Sequence, residues 1–166
     1  MKDYKKRYED FTKATVKLAE QIHRANKHKL INTEYTLPQV TLALRNIYKN
    51  PEYHKTFVST EMSDNKWSSG FCGIASVVIY EMYGKDKVWD FMAIRPGVWD
   101  GGPVIFLRDK KTGINFGTVG EYFTPKAIPY ELGRPLDATK PKTPFKKEFQ
   151  QILMSELAKL GKSTTD

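Results

Sequence analysis

The segment FCGIASVVIYEMYG, residues 71 to 84, gives the strongest structural signal in the chain. It is apolar on almost every side for three helical turns and ends at Gly84, a residue type that commonly terminates helices. The β-branched run Val77-Val78-Ile79 favours a strand, but the length of the segment and its closing glycine favour a helix. A helix that is apolar on all faces is buried. We therefore predict a buried central helix that starts at Cys72, the one cysteine of the chain.

Further helices are predicted on both sides of this segment. Apolar residues recur at three- and four-residue steps over 3–29, and a second stripe begins near Pro38, a residue suited to a first helical turn. Residues 50–69 are mixed and polar, which is typical of a loop with a short helical piece. A last amphipathic helix is predicted over 144–160.

The region after the central helix is typical of a small antiparallel sheet. The segment KVWDFMAIR (87–95) is strand-like. The segment GPVIFLRDKKTGINFGTVG (102–120) predicts a hairpin, because Asp109 and Gly113 provide turn residues between two short apolar runs. The proline-rich stretch 125–144 is predicted to be extended or loop.

The predicted fold class is therefore α+β, within a single domain of 166 residues. We divide this domain into a helical N-terminal part (1–50), a core of helix and antiparallel sheet (67–135) and a C-terminal helix (144–161). An apolar content of 40% is enough to bury a core.

Charge and cysteine content restrict the partners and the compartment. The net charge of +8 favours polyanions or acidic proteins. Lysines carry most of it and are spread widely, as on an ordinary solvated surface. A lone cysteine suits a reducing compartment, and no segment is apolar enough to span a membrane or act as a signal peptide. We expect a cytoplasmic protein.

Cys72 is the candidate nucleophile. At a helix N-terminus, the helix dipole and unpaired backbone N–H groups stabilise a thiolate and can stabilise an oxyanion. Gly70 and Gly73, with Trp67 and Ser69, are the candidates for substrate approach. The alternative is that Cys72 is a small buried hydrophobe, since free cysteine is among the most buried residue types.

The motif GFCGIAS resembles the G-x-C-x-x-x-S pattern of the papain-like cysteine peptidase superfamily. The order of a cysteine-bearing helix followed by a hairpin also resembles its small NlpC/P60-like and YunG-like domains. The second hairpin strand, INFGTVGE, is similar to the segment that carries the papain-like asparagine. The resemblance covers residues 67–123 and implies a papain-like fold, a Cys72 nucleophile and Asn115 as the residue that orients a base.

The histidine of that family is absent from its usual place. Pro103 stands where the first hairpin strand should begin with histidine, and no histidine follows Cys72. His54 is the candidate base from earlier in the chain. A carboxylate or phenol, from Asp100, Asp109 or Tyr122, could assist a weaker chemistry.

Three functions remain open. The first is a papain-like cysteine hydrolase or acyl transferase acting on an amide, ester or isopeptide bond. The second is a degenerate papain-like module that binds a protein or peptide, as an immunity, inhibitor or phage counter-defence protein does. The third is a basic nucleic-acid-binding protein. No nucleotide motif and no metal-ligand spacing occurs, so no cofactor and no metal are expected.

Overall fold

A computed structural model describes residues 2–26, 35–58, 62, 66–123, 127–141 and 143–161. Within these residues lie five α-helices and four short strands. The helices are α1 (Lys2–Asn26), α2 (Leu37–Tyr48), α3 (Pro51–Phe57), α4 (Cys72–Met82) and α5 (Lys146–Leu160). The strands are β1 (Trp89–Ile94), β2 (Val104–Asp109), β3 (Asn115–Phe116) and β4 (Arg134–Pro135). The predicted α+β class is confirmed.

The four strands form one antiparallel sheet in the order β3-β2-β1-β4. β1 and β2 pair along six residues, from Trp89 opposite Asp109 to Ile94 opposite Val104. β3 pairs only with Leu107 and Arg108. The predicted strand and hairpin are thus confirmed. β4 lies in the stretch that we predict to be extended or loop. The sequence does not predict this strand, because two residues that include a proline leave no alternating pattern.

The central helix α4 packs against β2. Ala75 to Ile79 are buried, and the Ser76 hydroxyl donates a hydrogen bond to the Ile105 carbonyl at 3.3 Å. The chain leaves the helix through Gly84, whose φ of 91° lies in the left-handed region that favours glycine. Cys72 therefore begins a buried helix that packs on an antiparallel sheet, as predicted.

The remaining helices follow the predictions with small shifts. α2 starts in a capping box, in which the Thr36 side chain accepts from the Gln39 N–H and the Gln39 side chain accepts from the Thr36 N–H. α3 is the short helical piece expected in 50–69. The described part of α1 ends at Asn26, so the last predicted residues of this helix, 27–29, lie outside the described residues. None of the described helices is long and apolar enough to cross a bilayer.

A buried ion pair joins α2 to the segment between β3 and β4. The Nη1 atom of Arg45 lies 2.7 Å from Oε1 of Glu121, and the two side chains are 1% and 0% exposed. Arg45 also donates to the carbonyl oxygens of Thr118 at 2.8 Å and Tyr8 at 3.1 Å. Its guanidinium carbon lies 3.6 Å from the centre of the Tyr8 ring.

Glu121 extends the ion pair into a network of hydrogen bonds. Its carboxylate accepts from the Tyr4 hydroxyl at 2.5 Å and from the Ser68 hydroxyl at 2.8 Å. The Tyr4 oxygen in turn accepts the backbone N–H of Trp67 at 2.6 Å. We call this set the Arg45–Glu121 network; it consists of Tyr4, Tyr8, Arg45, Ser68, Thr118 and Glu121. It fixes the backbone at residues 67–68, directly before the segment that leads into α4.

Candidate functional site

A cleft of about 600 Å³ opens beside the first residue of α4. Three stretches of chain line it: the approach to α4, the loop between β1 and β2, and the 3₁₀ turn Glu121–Phe123. The residues lining this Cys72 cleft are Lys66, Ser69, Gly70, Cys72, Asp100, Gly101, Pro103, Tyr122 and Phe123. Two of them, Ser69 and Tyr122, directly follow members of the Arg45–Glu121 network in sequence.

Cys72 is half-buried in the cleft. Burial raises the pKa of its thiol, because the thiolate loses solvation. The backbone N–H groups of Ile105, Gly73 and Cys72 itself lower this pKa, but burial outweighs them. The helix start therefore supplies the expected N–H groups without producing a thiolate at neutral pH.

Two hydroxyl groups stand beside the thiol. Tyr122 lines the cleft, and its pKa is raised by burial and then by the neighbouring Cys72 and Glu121. A hydrogen bond with the Ser69 side chain lowers this pKa, but burial outweighs it. A phenol that keeps its proton at neutral pH is a hydrogen-bond donor and not a base.

The four residues predicted for substrate approach divide into two pairs. Ser69 and Gly70 line the cleft, and Gly70 has a φ of 90°. Gly73 instead faces β2, where a Cβ atom at this position would lie 3.6 Å from Cδ1 of Ile105. Trp67 packs edge-on against Tyr4, with ring centres 5.1 Å apart. Gly73 and Trp67 thus have packing roles in the structure.

His54 lies in α3 and not in a loop, and only 2% of it is exposed. Its Nε2 atom is 3.0 Å from the Tyr48 carbonyl oxygen. The ring packs edge-on against Phe71, with centres 5.0 Å apart. His54 is therefore close in the fold to the residue before Cys72, but its hydrogen bond is with α2.

Asn115 lies on the face of the sheet away from α4. Its Oδ1 atom accepts a hydrogen bond from Nε of Arg108, the residue directly opposite, at 3.0 Å. Directly opposed residues share a face, and side chains alternate along a strand. Ile105, which contacts α4, is three positions from Arg108 and so lies on the other face. Neither His54 nor Asn115 is among the described residues that line the Cys72 cleft.

The loop between β1 and β2 forms the other wall of the cleft. Trp99 holds it, because its indole N–H donates to the Gly102 carbonyl at 2.5 Å and its ring lies 5.0 Å from that of Phe123. Asp100, at the rim, is exposed, as is Lys66. Among the described residues, no group of three or more His, Cys, Asp or Glu side chains could hold a metal ion.

Neither the Arg45–Glu121 network nor the place of Lys66 in the cleft lining was predicted from the sequence. One signal was present: Arg45 directly follows Leu44 within the apolar stripe of α2, where a charged residue implies a buried partner. That partner, Glu121, is 76 positions away, so no local pattern could identify it.

Comparison of the chain with protein-family models, with curated proteins and with solved structures finds no match.

Proposed function

We propose that this chain is a binding module whose Cys72 cleft receives a protein or peptide segment, on a papain-like arrangement that has lost its catalytic set. One observation carries the proposal: none of the described residues lining the cleft is a histidine, and burial raises the pKa of the Cys72 thiol. A cysteine nucleophile needs a thiolate and an acid for the leaving group. At neutral pH the thiol keeps its proton, and no described residue of the lining is an imidazole that could remove it.

The lining suits a peptide. The floor combines an apolar ring, Phe123, with the hydroxyls of Ser69 and Tyr122, which can hydrogen-bond peptide amides. Gly70 and Gly101 line opposite walls of the cleft. A volume of about 600 Å³ lies within the usual range of ligand sites.

A thiol hydrolase or acyl transferase is the second candidate. It is favoured by the three backbone N–H groups that act on the sulfur, those of Ile105, Gly73 and Cys72. Such donors would also stabilise an oxyanion formed when the sulfur attacks a carbonyl carbon. The two candidates differ in the ionisation of the thiol, which can be measured.

The first experiment follows the rate of Cys72 alkylation by iodoacetamide as a function of pH. The chain has one cysteine, so all modification reports on Cys72. We expect the rate to reach half its maximum above the free-thiol pKa of about 8.5. A rate already at its plateau at pH 7 would contradict the binding module and favour the hydrolase.

The second experiment measures binding to an array of random hexapeptides. We expect a subset of peptides to bind both the wild-type protein and Cys72→Ser. Treatment with N-ethylmaleimide at pH 9 should abolish binding by the wild-type protein only, because the adduct fills the cleft. An array without binding, or binding that survives the adduct, would refute the proposal.

A further inference from the structure

Exposed cations gather at the end of the molecule where β2 turns into β3. The 3₁₀ turn Lys85–Lys87 meets this hairpin: the backbone N–H of Lys110 donates to the Val88 carbonyl at 2.9 Å, and Nζ of Lys110 donates to the Asp86 carbonyl at 2.6 Å. Two lysine-bearing turns are thus held side by side.

The C-terminal end of α1 reaches the same place. The Asn26 side-chain amide donates to the Asp109 carboxylate at 2.9 Å, and Asp109 is fully buried. Asp109 also accepts the backbone N–H of Thr112 at 3.1 Å, which fixes the hairpin turn. Arg24, exposed in the last turn of α1, is thereby brought to this end.

We call this surface the basic end. Among the described residues of this surface, the cationic side chains outnumber the carboxylates by six to three, even when the buried Asp109 is counted. The cations are Arg24, Lys85, Lys87, Arg108, Lys110 and Lys111, and the carboxylates are Asp86, Asp90 and Asp109. Lys110 pairs with Asp90 at 3.8 Å. Arg24, Lys85, Lys87 and Lys111 form no ion pair among the described residues, so four exposed cations are available to a ligand.

Among the described residues, the basic end presents no exposed apolar anchor. The large hydrophobic side chains that are exposed among the described residues all lie elsewhere: Leu42, Val98, Leu132, Phe145, Met154 and Leu160. Protein interfaces usually centre on such anchors, and single-stranded nucleic acids stack on exposed aromatics. Lysines without either feature suit the phosphate backbone of a duplex, which needs positive charge alone.

The geometry points to a second binding site: the basic end takes the phosphate backbone of a nucleic-acid duplex, DNA or RNA. This site lies outside the Cys72 cleft and does not depend on the function of the cleft. Its contacts are charge–charge contacts to phosphates, so binding does not select a base sequence.

The test is fluorescence anisotropy with labelled 16-bp duplexes of DNA and of RNA, at salt concentrations from 50 to 200 mM. Four phosphate contacts predict that affinity falls roughly 100-fold over this range, because each contact releases a counterion. The double variant Lys87→Gln/Lys111→Gln should make the plot of log affinity against log salt shallower by about 1.8. The duplex that binds more tightly identifies the natural ligand.

The matched control is Lys5→Gln/Lys13→Gln, which changes the net charge equally. Both lysines are exposed on α1, about 30 and 20 Å from Asn26 along the helix axis. The control should keep the wild-type slope. An equal loss in both double variants would overturn the proposal, because net charge alone would then drive binding. No binding at 50 mM salt, or equally tight binding of a poly-glutamate peptide, would also overturn it.

Discussion

The Arg45–Glu121 network and the Cys72 cleft are adjacent along the chain, but their polar groups lie in opposite environments. Ser68 and Glu121 belong to the network, while Ser69 and Tyr122, the next residue in each case, line the cleft. In the network the charged groups are shut away from solvent and hydrogen-bonded to one another. In the cleft the polar groups face an open space. The network therefore acts as scaffold, and the cleft beside it is free to bind.

The largest effect is expected when the network loses one charge. Arg45→Met leaves the Glu121 carboxylate buried without its cation, and breaking a buried pair in this way costs about 3–5 kcal/mol. The free energy of unfolding, measured by urea denaturation, should fall by that amount.

The control for this variant is Lys146→Met. Lys146 pairs with Glu81 at 2.9 Å, but both side chains are 35% exposed. Exposed pairs contribute at most about 1 kcal/mol. Equal losses of unfolding free energy in the two variants would contradict the prediction, because burial would then not make the Arg45–Glu121 pair more important to stability.

A pair of glycine variants distinguishes the cleft wall from the packed helix. Gly70→Ala should destabilise the protein by roughly 1–3 kcal/mol, because φ is 90° and the new Cβ would lie 2.5 Å from Cγ1 of Val58. Gly73→Ala should be neutral, or stabilise by up to about 1 kcal/mol, because alanine favours the helix and meets Ile105 at an ordinary contact distance of 3.6 Å. Thermal and urea unfolding would report both, and shifts of the same sign would refute this assignment.

The smallest effect concerns alkaline pH. Burial and the hydrogen bond to Glu121 raise the pKa of Tyr4, whereas an unfolded tyrosine ionises near 10. The raised pKa thus contributes stability that is complete below about pH 10 and declines as the pH rises further. Above that pH, this residue lowers the free energy of unfolding by about 1.4 kcal/mol per pH unit.

The corresponding variant is Tyr4→Phe. Between pH 10 and 11.5, its free energy of unfolding should fall less steeply with pH than that of the wild-type protein. The difference in slope is the contribution of one titrating group. Parallel curves for the two proteins would contradict the buried, protonated state of Tyr4.

Much of the fold could be predicted because its signals are local. The apolar segment that begins at Cys72, the Pro38 start of α2 and the hairpin turn at Asp109 each depend on residues within a few positions. β4 could not be predicted, because Arg134 and Pro135 form a strand only where β1 offers a partner.

The candidate site was less predictable, because its geometry depends on distant residues. The position of Cys72 at the helix start followed from the sequence. The side of the sheet that Asn115 occupies depends on its register with Arg108, and a shift of one residue would reverse it. The hydrogen bond of His54 with Tyr48 depends on how α3 folds back on α2.

The contact of α4 with β2 has a consequence for the free edge of the sheet. β3 covers only the last part of β2, so the backbone of Ile105 would otherwise present a strand edge on that side. The Ser76 hydroxyl donates a hydrogen bond to the Ile105 carbonyl, and the Ile105 backbone N–H forms a hydrogen bond with the Cys72 sulfur. Exposed strand edges recruit strands from other molecules and start aggregation. By covering this edge, the first turns of α4 make the Ile105 backbone unavailable to a strand of another molecule, whatever the cleft binds.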